Sequence, residues 1–454
     1  MTAPPTPGTA AALETADRII GIVRSRAASA DAEATVTFGE SALTRFAGSA
    51  IHQNVAESRS HVALRVALDG RVAGARADGP VGDDALTRLV DTALEAARVR
   101  PVDPGWPGVG PRSDAPSVEH WDEATAAATP DERARVVEAF VRAGNGLETA
   151  GSCSTESRIT GFANSAGQRL AGRATIAELD GIARTASSDG SGRATSVTLG
   201  AIDGAASGET AARKARDSRD ATDIEPGRYE VVLEPRCVAD ILQFLFVYGF
   251  SGRPVEEGRS FVRVGEAQFD RSITLRDDAT DPATWGLPFD AEGTPKRRVT
   301  VVEAGVTSAI LHTRRTAAAA GAESTGHAIE DADAWGALPN NPILDAGSVA
   351  AADQIAGIER GVLVTDFWYT RILDPRTQVV TGLTRNGVWL IEDGRITRPL
   401  KNLRFTQSYV EALRPGNVRG IGRERVLIPA SFDGIHLVPT LHLAEWNFTG
   451  GAKG

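Results

Sequence analysis

The stretch from Tyr229 to Gly249, YEVVLEPRCVADILQFLFVYG, reads as a strand, a proline-marked turn and a helix. From about Arg236 to Val247 the residues are apolar on nearly every side, with Val238, Ile241, Leu242, Phe244, Leu245, Phe246 and Val247 all in one run. A helix without a polar face is buried, inside a domain or at an interface. Around it, Glu230 to Leu233, Ile273 to Arg276, Thr300 to Glu303, Gly361 to Asp366, Val379 to Thr384, Gly387 to Glu392 and Val426 to Ile428 carry strand character. Loops with Asp, Gly and Pro separate them. The second half is therefore expected to be a β-rich domain, barrel-like or a sandwich, around a buried helix.

The first half alternates differently. Leu13, Ala16, Ile19, Ile20 and Val23 recur at helical spacing, so an amphipathic helix opens the fold. Ala34 to Phe38 and Leu43 to Phe46 read as strands about a Gly39-Glu40 turn, and Ile51 to Val55 and His61 to Leu68 continue the pattern up to an Asp69-Gly70 hairpin turn. Asp83 to Arg98 is a second helix, acidic at its start and basic at its end as the helix dipole favours. Residues 101–118 are rich in Pro and Gly, and Thr129-Pro130-Asp131-Glu132 then forms the capping signature of another helix. From Gly151 to Thr198 short polar strands alternate with Gly-bearing turns, and Glu209 to Ser218 reads as a short helix. The fold class is α+β: an N-terminal arm over residues 1–12, an N-terminal domain over 13–222 with an antiparallel sheet flanked by helices, and the β-rich domain over 223–454.

The composition sets limits. A chain of 454 residues, 42% hydrophobic and 24% charged, is long enough for two cores and lies near globular averages. No apolar run approaches the roughly 20 residues that span a membrane. Residues 1–12 lack a basic segment followed by an apolar one, so a signal peptide is not expected. Two cysteines, Cys153 and Cys237, make no disulfide framework and fit a reducing, cytoplasmic setting. A net charge of −10 argues against nucleic acid as the main ligand.

Four further segments follow in fixed order: RPVEEGRSFVRVGEAQFDRSITLRDD (Arg253 to Asp278), WGLPFDAEGTPKRR (Trp285 to Arg298), VVEAGV (Val301 to Val306) and AGAESTG (Ala320 to Gly326). This order resembles the C-terminal half of the TldD/PmbA family, two-subunit bacterial peptidases in which a TldD-type subunit carries a metal site and a PmbA (TldE) subunit accompanies it. The order TRF, IHQN, VALRV and DGR in the first half resembles the family's N-terminal domain. The resemblance implies that the buried helix of a TldD-type chain would carry H-E-x-x-x-H, imidazoles to hold zinc and a carboxylate to take the proton of its water. Aligned on the preceding turn, the positions here are Gln243, Phe244 and Tyr248. A cysteine expected in the loop before a Val-Pro step is matched by Ser431, or a neighbour, ahead of Val438-Pro439.

The loss is visible without alignment. The seven histidines, His52, His61, His120, His312, His327, His436 and His442, frame no zinc-peptidase motif. Asp277, Asp278, Asp281, Asp290 and Glu292 could suggest a Ca²⁺ or Mg²⁺ cluster, but match no calcium loop. Ser431, Asp433 and His436 could suggest a nucleophile system, although no G-x-S-x-G elbow accompanies them. Ser324-Thr325-Gly326 with Asn340-Asn341 and Gly347 reads as a polar substrate or partner loop. The resemblance thus implies a non-catalytic PmbA/TldE-type subunit with no catalytic, cofactor or metal residues of its own. Its partner would be a zinc-bearing TldD-type metallopeptidase, its substrate an unfolded or modified peptide, and alone it could form a homodimer. The alternatives are an autonomous metal-independent hydrolase built around Ser431 and His436, and a non-enzymatic homodimeric binding or regulatory protein.

Overall fold

The computed structural model describes residues 8–79, 82–330, 332–430 and 434–451. The first half runs α1 (Thr9–Arg26), β1 (Asp31–Ala47), β2 (Ala50–Leu68), β3 (Arg71–Asp78), α2 (Asp83–Val99), α3 (Glu123–Ala126), α4 (Pro130–Ala143), β4 (Glu148–Asn164), β5 (Arg169–Arg184), β6 (Asp189–Ser196) and α5 (Gly204–Asp217). Its strands form one antiparallel sheet in the order β3-β2-β1-β4-β5-β6.

Period-two alternation divides the faces of this sheet. Ala32, Ala34 and Val36 of β1 are buried with Ile19 and Val23 of α1 and Val90 and Leu94 of α2. Further along the same face, Phe46 packs with Phe140 of α4 and Ala211 of α5. Thr129 caps α4 in a reciprocal box with Glu132, as its sequence signature predicts. The intervening residues Glu33, Thr35, Thr37 and Gly39 point the other way, to the second half of the chain.

Three local expectations are corrected. The Gly39-Glu40 turn does not exist: β1 is one strand, paired on both sides there, Gly39 with Arg59 of β2 and Arg158 of β4. Ladders on both edges hold the glycine extended. The chain reverses instead at Gly48 and Ser49, both left-handed. The segments 51–55 and 61–68 are likewise one strand, β2. The first helix begins at Thr9, with Ala12 fully buried, so residues 9–12 belong to the packed fold and not to the arm expected over 1–12.

The second half runs β7 (Gly227–Leu233), α6 (Pro235–Tyr248), α7 (Gly252–Glu256), β8 (Leu275–Asp277), β9 (Val299–Glu303), β10 (Val306–Thr307), α8 (Arg314–Ala320), α9 (Ala332–Trp335), β11 (Pro342–Leu344), α10 (Ala351–Ala356), β12 (Arg360–Asp374), β13 (Val379–Glu392), β14 (Arg395–Pro399), β15 (Leu403–Ser408), α11 (Tyr409–Ala412), β16 (Val418–Ile421), β17 (Val426–Pro429), β18 (Ile435–Val438) and β19 (Leu441–Gly451). Five strands, β12-β7-β19-β15-β13, close into a barrel through the β12–β13 pairing. A second sheet has the order β10-β9-β8-β11-β18-β17. The all-apolar helix α6 shares its core with both: Val238, Ile241, Leu242, Leu245 and Phe246 lie in one cluster with Val364, Val380 and Leu443 of the barrel and Leu275 and Val301 of the second sheet. Among the described residues no helix is long and apolar enough to cross a membrane.

A buried ion network ties the halves together. Glu33 of β1 and Glu292 share Arg65 of β2 and Arg314 of α8, and Trp106 from the Pro/Gly-rich segment lies against both guanidiniums at 5.0 and 5.8 Å. Next to it, Gly293 in the FDAEG turn has φ +68°, and a Cβ there would fall inside the ring of Phe162 on β4. Only glycine fits both constraints.

Candidate functional site

Helix α6 begins with Pro235 in its first turn, where the missing N–H costs nothing. It carries Gln243, Phe244 and Tyr248 half-buried on one side. The Phe244 and Tyr248 rings stack at 5.8 Å and 21°, and Tyr409 meets Phe244 edge-on at 5.8 Å. One turn earlier Asp240 accepts hydrogen bonds from Tyr409 Oη at 2.6 Å and Thr370 Oγ1 at 2.8 Å. Burial pushes the Asp240 carboxyl up to about 6 against those two bonds, and the Asp366 charge adds to the rise. Burial first, then the Asp240 charge, raises the Tyr409 phenol well above its ordinary range. Both ends of the Gln243 amide are buried without a partner.

This side chain set does not fit zinc. An amide, a phenyl ring and a phenol offer neither the imidazole nor the thiolate donors a tetrahedral hydrolytic site uses. Among the described residues no three His, Cys, Asp or Glu side chains converge on a point. Ser431 and Asp433 lie outside the described residues. His436 of β18 is 1% exposed, and burial takes its imidazole down to about 4, so it is neutral at physiological pH. The Ile428 main chain runs beside it, but neither ring nitrogen has a partner in good hydrogen-bond geometry. His442 is bound instead to Glu230 at 2.7 Å. Cys237 faces the Val364 carbonyl at 3.7 Å, its thiol raised far out of the reactive range by burial.

Asp278, Asp281 and Glu292 of the acidic cluster are paired with arginines. Arg276 pairs with Asp278, Asp281 and Asp345 at 2.7, 3.1 and 2.9 Å, and Arg298 adds a second contact to Asp278 at 2.7 Å. Asp290 closes the FDAEG turn by accepting main-chain N–H bonds from Glu292, Thr294 and Ala328. Burial, with the Glu292 charge next, raises its carboxyl.

A concavity that joins the two halves lies elsewhere, between the polar face of the first sheet and the loops of the second half. It has a volume of about 510 Å³, within the rough 300–1,000 Å³ range of ligand sites. Thr35, Thr37, Arg158 and Thr160 form its floor; Trp285, Gly286, Asp290, Lys296, Asn340 and Asn341 form the opposite wall. That wall rests on a buried pair, Asp277 and His327, 1% and 0% exposed, with 3.0 Å between Oδ1 and Nε2. Asp277 Oδ2 also accepts the N–H groups of Asn340 and Asn341, each at 2.9 Å. Burial would raise Asp277, but the neighbouring His327, the Lys296 charge and these bonds hold it below the usual range, whereas burial lowers His327. We take Asp277 as ionised, because its main-chain donors do not titrate, and His327 as neutral. At the mouth, His61 joins Asp78 at 2.7 Å to Glu330 at 3.1 Å; burial opposes its charge, but these bonds outweigh burial and raise its pKa.

Sequence reasoning singled out Asn340-Asn341 as a loop, and the structure places both on the cleft wall. It missed Trp285 and the threonines of β1, although the T-x-T alternation of Thr35 and Thr37 opposite Ala34 and Val36 marks a polar face on a two-sided sheet.

Residues 226–450 match the family described as PmbA/TldA metallopeptidase C-terminal domain. A metalloprotease of Methanothermobacter thermautotrophicus is 26% identical over 228 residues, 48% of this chain and 47% of that one. One from Archaeoglobus fulgidus is 25% identical over 203 residues, 44% of this chain and 46% of that one. The match thus spans about half the length of these curated relatives. The crystal structure of TldE from Thermococcus kodakarensis superposes with a TM-score of 0.84 at 18% identity, covering 96% of this chain and 99% of that one. That likeness extends the shared fold across both halves. With its C-terminal half matching the family domain and its whole course following the family fold, the chain belongs to the TldD/PmbA family.

Proposed function

We propose that this chain is a non-catalytic TldE/PmbA-type subunit that pairs in the cytoplasm with a TldD-type metallopeptidase, the zinc residing in the partner. The observation that carries the reading is the aromatic packing of Gln243, Phe244 and Tyr248 on α6, where a zinc peptidase would present ligands. The substrate of the pair is a peptide, unfolded or modified. The outer wall of the barrel supports the reading of a subunit: Trp368, Tyr369 and Leu373 on β12 are 49%, 66% and 59% exposed, apolar surface of the kind partners cover. Arg385 stacks on Trp368 at 4.3 Å and Arg371 on Tyr369 at 4.8 Å, an arrangement common in interfaces.

The test is metal content and casein or peptide hydrolysis by the pure chain, by the TldD-type protein of the same genome, and by their mixture. Activity that appears or rises sharply only in the mixture is the expected result. Stoichiometric metal in the isolated chain, or hydrolysis that scales with its concentration and survives chelator, would overturn the reading.

A further inference from the structure

Two polar atoms on the cleft wall have no partner. Trp285, 7% exposed, buries Nε1 without an acceptor, and Asn341, 0% exposed, buries Oδ1 without a donor. The orientation of the Asn341 amide is fixed, because its Nδ2 donates to the Trp285 carbonyl. The same contact brings the orphan donor and the orphan acceptor onto adjoining residues of one wall. The cleft runs beside them: apart from its chain neighbours, a Cβ built on Gly286 meets only Asn341 Oδ1 within 4 Å, at 3.8 Å.

Leaving a buried donor and a buried acceptor unsatisfied costs free energy twice, so such atoms in a native structure call for an explanation. A single N–H donor beside a single C=O acceptor is the complement of a secondary amide, which offers one of each. The rest of the cleft suits a polypeptide. Thr35, Thr37 and Thr160 give hydroxyls that can donate or accept, Leu287, Phe289 and Leu338 give apolar contact, and Arg158, Lys296 and Glu156 give charges of both signs.

We propose that the cleft between the first sheet and the loops 285–296 and 328–341 is a peptide-binding site of this chain, with Trp285 Nε1–H donating to a backbone carbonyl of the ligand and Asn341 Oδ1 accepting a backbone N–H. Arg158, whose guanidinium lies 5.5 Å over the Trp285 ring, lifts aside as the peptide enters. The inference rests on the peptide reading of the proposed function, and adds that this subunit holds substrate itself.

The experiment measures binding to the isolated full chain by titration calorimetry. The probes are N-acetylated, C-amidated hexapeptides of alanine carrying a central leucine, glutamate or arginine, each alongside its backbone N-methylated counterpart. Saturable binding of at least one peptide is expected, with roughly three- to tenfold weaker affinity when Trp285 is replaced by benzothienylalanine, which keeps the bicyclic ring and exchanges only the N–H for sulfur. N-methylation should weaken binding to the native chain by a similar factor. Because the exchanged donor has no partner and the ring keeps its size, the benzothienylalanine variant should melt no lower than the native chain, so lost affinity cannot be assigned to misfolding. Absence of saturable binding by every peptide, or unchanged affinity in the benzothienylalanine variant, overturns the proposal and leaves both atoms to ordered water. A chain that fails here yet still activates a TldD-type partner refutes the cleft site alone. One that binds peptide without affecting the partner refutes the subunit reading alone.

Discussion

Arg314→Met is expected to destabilise the protein by about 3–5 kcal/mol at neutral pH, the cost of removing one partner from a buried ion pair. Arg314 is 10% exposed at its side chain and the two carboxylates it serves, Glu33 and Glu292, are 4% and 5% exposed. With the guanidinium gone, two buried carboxylates share Arg65 alone, and the Gly108 carbonyl loses its donor at 2.7 Å. Burial already raises the Glu33 carboxyl against the pull of Arg65 and Arg314, so deleting Arg314 raises it further. A carboxyl raised in the folded state contributes stability that is complete below its unfolded pKa and lost as pH rises through its folded pKa. The deficit of the variant should therefore shrink on acidification from about pH 7.5 to about pH 5, as one carboxylate takes up a proton. Urea unfolding of both proteins at the two pH values, followed by tryptophan fluorescence and circular dichroism, gives the difference directly. A deficit below about 1 kcal/mol at neutral pH, the size of a surface pair, or one independent of pH, would refute the view that this network is buried and joins the halves.

Gln243→Leu should leave stability unchanged or raise it by about 1 kcal/mol, since the amide it removes has no partner; a clear loss in the urea midpoint would mean the amide is satisfied. Asp240, held at about 6 by burial, loses stability as pH rises through that value, so Asp240→Asn should lack this loss. The native chain should fall by roughly 1–3 kcal/mol relative to the variant between about pH 5 and pH 8; parallel pH profiles would count against a protonated Asp240. Trp368→Asp should weaken association with a TldD-type partner by about tenfold or more while shifting the melting temperature little, which calorimetric titration and thermal melts report separately; undiminished pairing would remove this face from the interface.

Much of the local structure was legible because it rests on local chemistry. The apolar run from Val238 to Val247 has no face to give to water, so α6 had to be buried. Thr129 and Glu132 announced the start of α4 within four residues. Asp69-Gly70 supplied the two left-handed positions of a tight hairpin. Gly39 misled, because its conformation is set by strands paired on both sides, one of them more than a hundred residues away.

By itself the sequence determined an α+β chain and, after β7, a buried helix that carries Gln243, Phe244 and Tyr248. These follow from periodicity, capping and residue chemistry, each of which acts over a few positions. Only the tertiary structure decided that the second half closes a five-stranded barrel, that Glu33 and Arg65 meet Glu292 and Arg314, and that Thr35 and Thr37 face Trp285 and Asn341 across a cleft. Those partners lie some two hundred residues or more apart in sequence, and what brings them together is the burial of α6 and of the helical face of the first sheet. Each polar wall was left where two buried faces had already fixed the backbone.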